Sequence, residues 1–98
     1  MSKISYEERV KTYTNALISY GTERQMIVAI EELSECQKEL CKELRDKGDL
    51  EHLAEEIADV LITMEQMVLF FGIQDRVEEW MDSKVQRLDK KLRVEAHE

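Results

Sequence analysis

The chain has no proline, three glycines and only 6% aromatic residues. Without proline nothing breaks a helix from within, and two of the glycines, Gly48 and Gly72, fall where helical patterns stop. The two cysteines, Cys36 and Cys41, make no CxxC pair and have no histidine set beside them. Five positions apart on one predicted helix, they point too far round and along it for a bridge. Cys36 therefore reads as a small core residue and not as a redox or metal group. Long apolar runs are missing as well. No stretch reaches the length of a membrane span, and MSKISYEERV lacks an apolar signal-peptide core, so the expectation is a cytoplasmic protein with no membrane partner. Basic residues are in deficit, 14 against 22 acids, for a net charge of −8. That balance opposes non-specific binding to a nucleic-acid polymer. It does not oppose a nucleotide that arrives with a divalent metal.

What is present is helical periodicity in four segments. Val10, Tyr13, Leu17 and Tyr20 mark the first, over residues 4–20, closed by Gly21. Thr22 with Gln25 has the form of a capping box opening a second helix that runs to about residue 46. Its apolar stripe is Met26, Ala29, Ile30, Leu33, Cys36, Leu40 and Leu44. Lys42, Arg45 and Lys47 suit its C-terminal end, and Gly48 is expected to take a left-handed cap. Asp49 is the predicted N-cap of a third, most apolar and central helix that stops at Gly72. Asp75 with Glu78 predicts a capping box for a fourth, striped by Val77, Trp80, Met81, Val85, Leu88 and Leu92, after which RVEAHE is expected to fray. The spacing of Trp80, Tyr13 and Tyr20 assigns them to packing. No segment alternates like a half-buried strand, so residues 1–98 read as one all-α, four-helix domain. A chain this short is poor in buried area, and burial between subunits would help it.

Two of the segments carry acid pairs three residues apart, Glu32 with Glu35 in EELSE and Glu56 with Asp59 in EEIAD. At about 100° per residue each pair shares a helix face. An antiparallel hairpin turning near residue 48 would bring four acids together, with Glu35 and Asp59 at almost the same height and both pairs flanking their apolar stripes. Glu31, Glu35, Glu39 and Glu43 also form a like-charge ladder, as do Glu51, Glu55 and Asp59. Each like-charge step costs about 0.2–0.5 kcal/mol on an isolated helix. A divalent cation would relieve the strain, and so would Lys38 and Lys42 locally. Spacing and charge leave two readings open, a Mg²⁺ or Mn²⁺ site or a solvated acidic face.

The order EELSE, a linker, then EEIADVL resembles the EExxE…ExxD signature of the MazG-like family of all-α nucleoside triphosphate pyrophosphohydrolases. The resemblance spans the second to fourth helices and implies a MazG-like bundle completed by oligomerisation, as a tetramer or a dimer. It makes Glu32, Glu35, Glu56 and Asp59 the Mg²⁺ ligands and Glu31 an accessory acid, with Glu35 or Glu31 as the catalytic base. DSKVQR resembles the family's basic segment, which assigns Lys84 and Arg87 to the triphosphate, while Asp82 stands where the family commonly has asparagine. The implied reaction is Mg²⁺-dependent cleavage between the α and β phosphates, releasing pyrophosphate, for house-cleaning of non-canonical or deoxy nucleotides. A narrow dUTP or dCTP hydrolase of the same fold and a non-catalytic acidic interaction module are the competing readings.

Overall fold

The computed structural model describes residues 3–97. They form four helices, α1 (Tyr6–Tyr20), α2 (Thr22–Leu44), α3 (Leu50–Phe71) and α4 (Gln74–Ala96), and no strand among the described residues. The class is all-α, as periodicity requires.

The helix ends follow local chemistry, with several shifts from the sequence reading. Ser5 caps α1, its hydroxyl accepting from the Glu8 amide at 3.1 Å. The Thr22/Gln25 capping box does not form. Gly21, at φ 83°, is the N-cap, Thr22 is already helical, and no side chain caps α2. Gln25 is buried instead. Helix α2 stops at Leu44, and Asp46, not Gly48, takes the positive φ. Gly48 serves by its lack of a side chain, since a Cβ there would lie 3.0 Å from the Cα of Glu43. The loop thus doubles back along the last turn of α2.

Asp49 caps α3 as expected, accepting from the amides of Glu51 at 2.9 Å and His52 at 3.4 Å. Gly72 closes it in the left-handed conformation, with the Ile73 amide donating to Val68 at 3.1 Å. The Asp75/Glu78 box does not form either: α4 begins at Gln74, whose amide donates to Glu78 at 3.3 Å. The tail is helical through Ala96, held by Asp89–Arg93 at 3.1 Å and Lys91–Glu95 at 3.9 Å.

Helix α3 is central, touching each of the other three, while α1 rests against α2 and α3 and α4 touches α3 alone. The apolar stripes of α2 and α4 do not make a closed core. Ile30, Leu33 and Leu40 are exposed, and Trp80 keeps 60% of its surface accessible. The buried positions are mostly polar: Gln25, Glu39, Thr63 and Gln66, beside Tyr13 and Ala29. A radius of gyration of 17.0 Å exceeds the roughly 13 Å of a compact chain of this length.

Helix α1 is anchored by a polar clasp. Glu65 on α3 receives Arg9 at 3.2 Å and a short hydrogen bond from the Tyr13 phenol. Burial, then the bond to Glu65 and its charge, push the Tyr13 phenol up from 10.0 to about 12. A raised phenol contributes stability that is complete below its unfolded value and lost as pH climbs through its folded one. Tyr13→Phe is expected to cost about 1.5 kcal/mol, the usual worth of a bond to a charged partner. In urea unfolding at stepped pH, the gap between wild type and variant should hold steady below pH 10.0 and shrink towards about 12.

Candidate metal centre

Helices α2 and α3 pair antiparallel, and their register decides which acids meet. Gly48 packs on Glu43, His52 Nδ1 lies 3.8 Å from Glu39 Oε1, and Glu32 adjoins Asp59. The three pairs share one register. It differs from the level pairing of Glu35 with Asp59 expected from a turn at residue 48. The loop folds back on α2 at Gly48, where a side chain would meet Glu43, and the alignment lies about one turn from that expectation.

The acids lie in the seam itself, not on its flank. Along α2 the seam runs through Gln25, Ala29, Glu32, Cys36 and Glu39, and along α3 through Glu56, Asp59, Thr63 and Gln66. The alternating steps of three and four are those of a paired-helix stripe. Of the apolar stripe that the sequence assigned to the core, Ala29 and Cys36 lie in the seam, while Met26, Ile30, Leu33, Leu40 and Leu44 are exposed.

Glu32, Glu56 and Asp59 converge, each offering a carboxylate oxygen within 4.8 Å of the others. All three are half-buried. The Oε2 of Glu56 is shut off from solvent with no hydrogen-bond partner. An ionised oxygen left that way is costly unless a cation or a proton joins it. Burial, then the charges of Asp59 and Glu56, hold the Glu32 carboxyl above its ordinary 4.5. Burial, then Asp59 and Glu35, raise Glu56 as well. Three hard oxygen donors, one of them orphaned, fit a divalent cation of the Mg²⁺ or Mn²⁺ kind.

The other sequence-assigned residues lie elsewhere. Glu35 is at the rim, half its side chain exposed, and takes Lys38 at 3.3 Å. Glu31 is exposed beside it. Lys84 and Arg87 are exposed on α4, with the Lys84 ammonium 5.8 Å from the centre of the Trp80 ring. Within one chain neither is brought to the acids. Relief along the α2 ladder is partly local, since Lys42 meets the buried Glu39 at 3.1 Å. The sequence reading gave Gln25 a capping role and passed over Thr63 and Gln66. Their signal was the continuation of the acid spacing, Gln25 seven before Glu32 and Gln66 seven after Asp59.

No family model, no curated protein and no solved structure matches the chain. Among the described residues no helix is long and apolar enough to cross a membrane.

A carboxyl raised by folding favours the folded state while protonated, and that benefit is lost as pH rises through its folded value. Without divalent cations, Glu32→Gln is expected to melt higher than wild type at neutral pH. The gap should close as pH falls towards 4.5, where the wild-type carboxyl carries its own proton. Mg²⁺ should raise the wild type and leave the variant nearly unmoved. Calorimetry at stepped pH, with and without Mg²⁺, measures all three.

Proposed function

We propose that this chain is a MazG-like, Mg²⁺-dependent nucleoside triphosphate pyrophosphohydrolase that cleaves between the α and β phosphates to give the monophosphate and pyrophosphate. The observation that carries the reading is the convergence of Glu32, Glu56 and Asp59 around the orphaned Oε2 of Glu56. In this reading those three hold the ion from inside the seam, and Glu35 joins from the rim by releasing Lys38. Bound Mg²⁺ supplies neutralisation of the phosphate oxygens and of the charge on the leaving pyrophosphate. Glu35, or Glu31 beside it, takes the proton from the attacking water, being the acids with open access to solvent. The buried carboxylates orient the reacting centre, and the net charge of −8 keeps a bare triphosphate away.

The same reading extends to assembly as a dimer of dimers, with a simple dimer as the lesser form. The chain exposes 8473 Å², whereas a compact monomer of its mass exposes about 5,800 Å². The excess, roughly 2,600 Å² per chain, is of the size buried in obligate interfaces. Assembly is also what would carry Lys84 and Arg87 to a phosphate. As ammonium and planar fork on one helix face, they suit a triphosphate clamp.

Two outcomes test this. With Mg²⁺, a panel of standard, deoxy and modified triphosphates should yield pyrophosphate as first product. EDTA should abolish turnover, and Asp59→Asn should lower it at least about a hundredfold without unfolding the chain. Orthophosphate as first product overturns the α/β cleavage, full activity in Asp59→Asn removes the acid cluster from catalysis, and no turnover of any triphosphate favours the acidic interaction module. In sedimentation equilibrium the mass should be a multiple of 11.6 kDa, four-fold in the favoured form, and Leu88→Glu should reduce it.

A further inference from the structure

The polar seam does not stop at the acids. Two turns further along α3, Gln66 is only 9% exposed, and it lies on the same face as Asp59. The register places Gln25, also buried, opposite it on α2. A bare pair of helices has no need of buried amides there. Apolar residues would pack more favourably than groups that must each find donors and acceptors.

Gln66 also forms part of the wall of an open groove of about 760 Å³ between α1 and α3. Ile62 continues that wall on α3, and Thr12, Tyr13 and Ile4 face it from the α1 side. The volume falls within the roughly 300–1,000 Å³ of small-molecule sites. Its lining combines the Tyr13 ring and the Ile4 and Ile62 side chains with the Gln66 amide, and Lys3 and Arg9 add two cations to the wall. That combination suits a planar heterocycle whose edge carries adjacent hydrogen-bond donors and acceptors. Tyr13 is held in place from behind by its hydrogen bond to Glu65.

Position adds to chemistry. Asp59, Ile62 and Gln66 form one stripe of α3, and Gln66 is about 10 Å along the axis from Asp59 at 1.5 Å per residue. That is about the span from the reacting phosphates across one sugar to a base. We infer that the α1/α3 groove receives the base of the nucleoside triphosphate, with the Gln66 amide reading its hydrogen-bonding edge and Gln25 supporting that amide from α2. The inference rests on the nucleotide reading of the acid cluster. It assigns α1, which lies outside the signature motifs, to substrate choice.

The test uses the full chain with Mg²⁺. Pyrophosphate release is measured for triphosphates of all the common bases, and inorganic tripolyphosphate, which has no base, serves as a competitive inhibitor. Gln66→Met keeps the bulk and removes the polar edge. It is expected to compress the spread of kcat/KM between bases about tenfold or more. Thr12→Trp fills the groove from the exposed face of α1 and leaves the seam intact, so it stays informative where Gln66→Met fails to fold. It should raise KM for every nucleotide about tenfold and leave tripolyphosphate inhibition unchanged. An active wild type whose base ranking and KM survive both changes overturns the groove assignment alone. Equal losses for nucleotide and tripolyphosphate in Thr12→Trp overturn it too, because the effect is then not specific to the base. A wild type that releases no pyrophosphate from any triphosphate overturns the nucleotide reading and this inference with it.

Discussion

Mutual repulsion between three carboxylates in the seam of α2 and α3 is the constraint on which the rest of the structure turns. Carboxylate oxygens of Glu32, Glu56 and Asp59 lie within 4.8 Å of one another, and the Oε2 of Glu56 is buried without a protein hydrogen-bond donor. A helical hairpin selected for stability alone would place leucine or alanine at those positions. The opposing contributions are visible around it: the Asp49 and Gly72 caps, the Glu65 clasp on α1, and Lys42 on the buried Glu39. The caps and the Lys42 pair stabilise the individual helices, and the clasp ties α1 to α3. Strain of this kind, offset elsewhere in the chain, marks places where function and packing compete.

The geometry of the repulsion depends on one small residue. Because Gly48 has no side chain, the α2–α3 loop folds back onto Glu43, and the two helices engage about a turn out of step with a loop that extends past α2. The slip takes Glu35 out of the cluster and puts Glu32 beside Asp59. It also sets Gln25 opposite Gln66, which joins the acid cluster to the α1/α3 groove through a continuous polar stripe. Substrate choice and metal binding, in the proposed reading, are two ends of one seam.

The outward placement of the apolar stripes has the same origin. With the inner face of α2 given over to polar groups, Ile30, Leu33 and Leu40 face away from α3, and α4 carries Trp80, Met81 and Leu88 into the open. Apolar surface on this scale exceeds what a single small domain leaves exposed. The same positions that weaken the fold of one chain would drive the assembly proposed above, which connects that assembly to the chemistry of the site.

Much of this was legible in the amino-acid order. Helix number and type, the Asp49 and Gly72 caps, and the pairing of acids at steps of three all follow from local periodicity and capping chemistry, which act within one or two turns. Sequence alone therefore determined an all-α chain with two acid-bearing helices in its middle. Only the tertiary structure decided the rest: that Gln25 and Gln66 are buried while Leu40 is not, that Glu35 stands at the rim, and that Arg9 and Tyr13 meet Glu65 more than fifty positions away. Periodicity identifies the residues that share a face, but not which of two adjacent faces turns inward. That choice is the rotation of each helix about its own axis against its neighbours, which is settled by contacts between residues far apart in the chain.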